Sequence, residues 1–291
     1  MGLANAPRRE QSLLLRRMAH WGAQKGPSAF LRWSPKPIGA TFGLILADVR
    51  RQVVRNLRRV HGRRSVFREQ LDALATLANY AACFAEVLAA GRADNAPKAS
   101  VIGEEQLRAA LRRGGVVLVT AHVGPWDFTA QLLRSAVEVE VMIVMEPEPN
   151  AAAREFQDRL RDERGVKVLH VGAHATDALP LVAHLRKGGV AALQLDRTPP
   201  SGRALQVRLF GEPFRVPEGP FRLAALSGAW VVPVFARRRG FFDYELVISE
   251  PIELGRRATT EQLQAAAQRA ADAMQAFVRE TPTQWFHFVR E

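Results

Sequence analysis

Cysteine is nearly absent from this sequence of 291 residues, which holds one, Cys83. No disulfide framework can form within the chain, which suits a reducing compartment. Cys83 lies in the apolar stretch NYAACFAEVL, where a free thiol packs as a small hydrophobe rather than serving as a nucleophile. None of the nine serines stands in a Gly-x-Ser-x-Gly turn, so the nucleophile elbow of a serine hydrolase is excluded. No uninterrupted apolar run reaches the ~18 residues that would mark a membrane-crossing helix. The opening residues, MGLANAPRREQSLLLRRMAHW, hold only three consecutive leucines between charges and do not read as a secretory signal. Internal repeats, zinc-ligand spacings and a helix-turn-helix pattern are missing as well.

Positive charge, in contrast, is plentiful. Lysine and arginine number 41 against 29 acidic residues, a net charge of +12. Nucleic acid, an anionic membrane surface, phosphorylated lipids and acidic carrier proteins are the partners such a charge admits. A non-enzymatic nucleic-acid- or lipid-binding protein is the alternative to an enzyme that this charge admits, although the basic residues are scattered rather than clustered. Apolar residues make up 47 %, enough for a sizeable globular core.

The hydrophobic period changes along the chain. Residues 1–98 read as a helical portion: Val49, Val53, Leu57 and Val60 recur at helical spacing beside a basic face, and 69–90 is rich in alanine and leucine. Trp21, Phe30 and Trp33, with Arg16, Arg17, Lys25 and Arg32, suit either docking at a membrane interface or packing onto the core. ADNAPKAS reads as a linker. Residues 99–291 alternate strand-like runs (GVVLVT, VEVMIVM, VKVLHV, VAALQLD, LQVRLF, WVVPVFA, DYELVIS) with helical runs at 104–113, 126–136, 151–164, 176–187 and 217–228, ending in a helix at about 259–280. That order predicts an α/β fold, a mostly parallel central sheet covered by helices.

Where the run GVVLVT ends, the sequence continues AHVGPWDF. Ligands of open α/β sheets bind beyond the carboxyl ends of strands, where His122 falls. Pro125 suits a first helical turn, which would set Asp127 at the positive end of a helix dipole. A carboxylate that fixes an imidazole's tautomer makes it a general base. The same residues also fit a helix entry with no chemistry.

This His-x4-Asp spacing resembles the signature of the glycerolipid acyltransferase superfamily, and GGVVLVTAHVGPWDF resembles the corresponding motif of its late lipid A acyltransferases. VAALQLDRTPP, VRLFGEPFRVPEGPFRLAALSGAWVVPVFARR and TPTQWFHFVRE resemble further blocks of that family, in order, so the likeness spans about residues 45–291. It implies transfer of a fatty acyl chain from an acyl carrier protein or coenzyme A thioester to a hydroxyl of a membrane glycolipid or phospholipid. No metal and no cofactor are implied beyond the acyl-ACP or acyl-CoA co-substrate. His122 would be the base and Asp127 its orienting acid. Arg161, or failing it Arg164, would face the oxyanion. Asp196 would be structural or position substrate. The Pro217-Glu218-Gly219 turn would start a helix and offer N–H groups to a phosphate or oxyanion, though a plain helix cap reads equally well. The implied location is peripheral, on the cytoplasmic face of a bacterial inner membrane. Several positions depart from the family pattern: Pro125 replaces Asn, Asp127 replaces Glu, Asp196-Arg197 replaces Asp-Gln, and the usual N-terminal membrane helix is not found.

Three weaker signals remain. His170 and His174 are spaced as helical metal ligands can be, with nothing to complete a set. His287 reads as a packed core residue. Residues 236–240, ARRRG, read as a charged hairpin tip or a dock for an acidic carrier protein.

Overall fold

The computed structural model describes residues 13–92, 96–147, 151–162, 165–171, 178–198 and 202–289. Five helices come first: α1 (Leu13–Lys25), α2 (Ser28–Trp33), α3 (Pro35–Ile45), α4 (Ala47–His61) and α5 (Val66–Leu88). The α5 helix starts at Ser65, whose hydroxyl accepts from the Arg68 N–H. Gly39 of α3 lies flat on α5, and a Cβ there would stand 2.4 Å from the Leu77 carbonyl oxygen, so the two helices approach at backbone distance.

The α/β portion follows: β1 (Lys98–Ile102), α6 (Glu104–Leu111), β2 (Val116–Thr120), α7 (Thr129–Val137), β3 (Met142–Met145), α8 (Ala151–Asp162), β4 (Lys167–His170), α9 (Leu179–Arg186) and β5 (Val190–Gln194). A hairpin of β6 (Ala204–Leu209) and β7 (Glu212–Pro217) leads to α10 (Gly219–Ser227), β8 (Trp230–Gly240), β9 (Asp243–Ile248) and α11 (Thr260–Glu280). Seven strands form one sheet in the order β1-β9-β8-β2-β5-β3-β4. Every pairing is parallel except β8 with β9.

The central strand β2 is buried throughout, and its side chains alternate between two cores. Val117 and Val119 face α9, α10 and α11 through Leu181, Phe221 and Met274. Val116 and Leu118 face α6 and α7 through Leu107, Leu132 and Leu133. Helices on both faces account for the near-continuous apolar strands. The fold class predicted from the hydrophobic period is therefore the one observed. Helix ends shift by a few residues, and β1 and β7 are additions: KASVI overlaps the linker-like ADNAPKAS, and EPFRVP carries two prolines that mask a strand.

By length and composition α5 could cross a membrane, although its apolar run is interrupted. In the structure its Glu86, 1 % exposed, accepts hydrogen bonds from Arg238 (2.7 Å) and Tyr244 (2.6 Å), and this ties the helix to the sheet. Arg237 pairs with Glu245 and Glu280, and Arg239 approaches Glu245. The 236–240 stretch is thus the end of β8, with two of its three arginines paired inward rather than displayed for a partner. Cys83 is buried, and burial pushes its thiol pKa up, consistent with an unreactive core position.

Candidate active site

The β2 strand ends at Thr120, paired in register with Gln194 at the end of β5. Each strand runs on into a loop, and the two loops therefore leave the sheet side by side. His122 lies on the first and Asp196 on the second. His122 Nδ1 is 2.8 Å from Asp196 Oδ1, and the His122 backbone N–H also donates to the carboxylate, at 3.1 and 3.2 Å. The Trp285 indole N–H donates to Asp196 Oδ2 at 3.2 Å. His287, ring-stacked on Trp285, brings its Nδ1 within 3.8 Å of the same oxygen.

Burial alone would raise the Asp196 pKa. The opposing charge and hydrogen bonding of His122, with hydrogen bonding from His287, hold it well below the usual carboxylate range. Burial pushes the His122 pKa down, and Asp196 only partly opposes that. The pair therefore consists of an ionised carboxylate and a neutral imidazole at neutral pH. With Nδ1–H directed at Asp196, Nε2 is left as the basic nitrogen.

Asp127, read from the sequence as the acid that orients His122, makes a different contact. It lies in a 3-10 turn, Trp126–Phe128, that precedes α7, and its carboxylate accepts from Arg161 Nη2 at 3.0 Å. The five-residue spacing is real, but the turn aims Asp127 at α8 and sheet neighbourhood delivers Asp196 to the imidazole. Arg161 also lies 3.6 Å from Asp158, which in turn bonds His170 Nε2 at 2.8 Å. Asp127–Arg161–Asp158–His170 form a charged wall.

The loop bearing His122 is fixed from behind. Gly124 has φ 48°, and a Cβ there would meet the Ala236 carbonyl oxygen at 2.3 Å, so only glycine fits. Its N–H donates to the Gln284 carbonyl at 2.8 Å, and Val123 bridges to Trp285. His122, Asp196, Asp127, Arg161 and His287 all line one cavity of about 900 Å³. Leu118, Ala130, Leu133, Ile143 and Val144 give the same cavity an apolar part of its lining.

The remaining predicted residues divide. Glu218 and Gly219 do not line the cavity, although their neighbours Pro217 and Pro220 do. Pro217 closes β7 instead of opening a helix, and the Glu218 carboxylate pairs with Arg222 at 2.6 Å. Glu218 is the N-cap residue of α10, with no side-chain cap hydrogen bond. Arg164 and His174 lie outside the described residues. His287, expected as a packed core residue, is buried beside Asp196, and Trp285, which the sequence did not single out, bonds the same carboxylate.

Residues 12–291 match the family described as bacterial lipid A biosynthesis acyltransferase. The chain belongs to this acyltransferase family. A stretch of 133 residues is 32 % identical to phosphatidylinositol mannoside acyltransferase from Mycobacterium tuberculosis, strains CDC 1551 / Oshkosh and ATCC 25618 / H37Rv. The match covers 45 % of this chain and 42 % of each relative, so it spans less than half the length of the curated proteins. Among solved structures, the 1-acyl-sn-glycerophosphate acyltransferase PlsC from Thermotoga maritima aligns over 84 % of this chain and 97 % of its own, at 14 % identity and a TM-score of 0.39. That likeness is too loose to bear on chemistry. Membership of the acyltransferase family disfavours the non-enzymatic reading left open by the net charge.

Proposed function

We propose that the protein is an O-acyltransferase that moves a fatty acyl chain from an acyl carrier protein or coenzyme A thioester to a hydroxyl of a membrane glycolipid or phospholipid. The observation that carries this reading is the 2.8 Å contact of His122 with Asp196 on the lining of a cavity that also has many apolar side chains. A volume of about 900 Å³ is within the range of small-molecule sites and suits a long alkyl chain.

In this reading His122 Nε2 takes the proton of the acceptor hydroxyl as its oxygen attacks the thioester carbonyl. The tetrahedral oxyanion then collapses, the C–S bond breaks, and His122 returns the proton to the thiolate. Asp196 holds the Nδ1–H tautomer and stabilises the imidazolium between the two transfers. Arg161, positioned by Asp127, supplies positive charge on the cavity wall toward the oxyanion. No covalent acyl-enzyme is required.

Access from a bilayer is supported by the N-terminal helices. Trp21 and Trp33 are each 69 % exposed, and Met18, Phe30, Phe42 and Ile45 are exposed beside Arg17, Lys25, Arg32 and Lys36. Large apolar and basic side chains together on one exposed region fit an interfacial surface on an anionic membrane. The cytoplasmic face of a bacterial inner membrane is the location that suits a thioester donor.

The deciding experiment is transfer of a radiolabelled acyl chain from acyl-CoA or acyl-ACP into a lipid extract by the purified protein, with product identified by mass spectrometry. His122→Ala should abolish it with an unchanged circular dichroism spectrum; near-normal turnover by that variant refutes the assignment of the base.

A further inference from the structure

We propose that Arg197, with Arg215 on the lining of the same cavity, forms a phosphate subsite and takes a phosphate ester carried by one of the two substrates. The proposal rests on the acyl-transfer reading for its physiological ligand, but the subsite itself is testable without turnover.

Arg197 immediately follows Asp196, where β5 gives way to its loop. Its Nη2 donates to the Phe286 carbonyl at 3.0 Å. Its Nε is buried and has no hydrogen-bond partner among the described residues. Arg197 forms no ion pair among the described residues either. The nearest carboxylate, Asp196, already accepts from the His122 ring, the His122 backbone and Trp285. Burial pushes the guanidinium pKa down, and the charge of Asp196 only partly opposes this, as expected of a desolvated cation short of counter-charge.

A buried N–H left open on a charged group is costly in an isolated protein and points to a ligand that completes it. An anionic ligand would satisfy this donor and supply the missing counter-charge together. Arg215, exposed on β7, lines the same cavity, and its segment is joined to that of Arg197 through Thr198, whose hydroxyl approaches the Arg215 carbonyl oxygen at 3.5 Å. Arg197, on the loop after β5, and Arg215, on β7, line one cavity, and two guanidinium groups match the charge and oxygen count of a phosphate better than those of one carboxylate. Thioester donors bear phosphate esters, and so do phospholipid acceptors.

Calorimetric titration with inorganic pyrophosphate tests the subsite directly. The wild type should bind it, Arg197→Gln should weaken binding about ten- to a hundredfold, and Arg197→Lys should fall between. Arg215→Gln should weaken it less. Circular dichroism melts check that each variant is folded, and Arg215→Gln keeps the test intact if Arg197→Gln is not. Competition then identifies the source. Displacement by coenzyme A but not by pantetheine assigns the phosphate to the donor; displacement by glycerol 3-phosphate but not by glycerol assigns it to the acceptor. Absence of pyrophosphate binding, equal weakening by the remote Arg256→Gln, or displacement by neither pair overturns the proposal. None of these outcomes depends on whether the protein transfers acyl groups.

Discussion

Phe286 donates its backbone N–H to the carbonyl oxygen of His122 at 2.7 Å. A segment more than 160 residues later in the chain thus clamps the loop that carries the imidazole, and the neighbouring Trp285 reaches the carboxylate that orients it. The His122 loop and the Asp196 carboxylate are both held by the last described stretch of the protein. Removing residues 285–291 should therefore abolish acyl transfer while leaving most of the far-ultraviolet circular dichroism intact. Retained activity in that truncation would show that the clamp is dispensable.

The two acids near His122 should separate by mutation. Asp196→Asn removes the tautomer lock and should lower kcat about 10²- to 10⁴-fold. Asp127→Asn loosens Arg161 and leaves the His122–Asp196 contact in place, so its loss should be smaller, and combining it with Arg161→Gln should add little. Steady-state kinetics of the four proteins decide it; a deeper loss in Asp127→Asn than in Asp196→Asn reverses the roles.

Activity should depend on pH in a definite direction. Because burial lowers the His122 pKa, the base is already deprotonated at pH 7, and kcat/KM should fall only on acidification below the ordinary histidine value of about 6.5. Asp196 raises that pKa, so in Asp196→Asn the residual activity should show its acid limb at still lower pH. Stability shares the sign. An unfolded chain takes up more protons than the folded pair as pH drops through the unfolded pKa values of His122 and then Asp196, so the wild type loses stability toward acid. A limb that moves upward in the variant contradicts this electrostatic account.

Acyl-chain selectivity should respond to the apolar wall. Ala130, buried on α7, lines the cavity opposite β2 and β3. Ala130→Leu fills part of that space and should shift preference toward shorter acyl chains, since each methylene denied burial forfeits ~0.8 kcal/mol. Competition among thioesters of different length reads this out; an unchanged profile places the chain elsewhere.

Membrane attachment should weaken when the exposed indoles are removed. Trp21→Ala with Trp33→Ala should reduce co-sedimentation with anionic vesicles by roughly tenfold or more, given ~1.5–3 kcal/mol for each large apolar side chain taken fully out of water. Equal pelleting of the two proteins would assign those side chains to some other role.

The period of the apolar residues was enough to read the doubly covered sheet, because alternation along Val116–Val119 and helical stripes such as that of α4 are local properties. The end of β2 was legible as a candidate site for the same reason. The choice of acid was not. Asp127 is close to His122 in sequence, and Asp196 is close only because β5 happens to be the strand beside β2. Strand order is set by long-range packing, which spacing along the chain does not encode. The Trp285 and His287 contributions were hidden for the same reason, and β7 by its prolines.

Parallel pairing of Thr120 with Gln194 has a consequence for how the molecule becomes competent. A slip of one residue between those strands would turn alternate side chains to the opposite face and carry the carboxylate away from the ring. The imidazole–carboxylate pair thus reports on correct assembly of the sheet: a nascent chain that has made every helix but not yet zipped β2 to β5 lacks it.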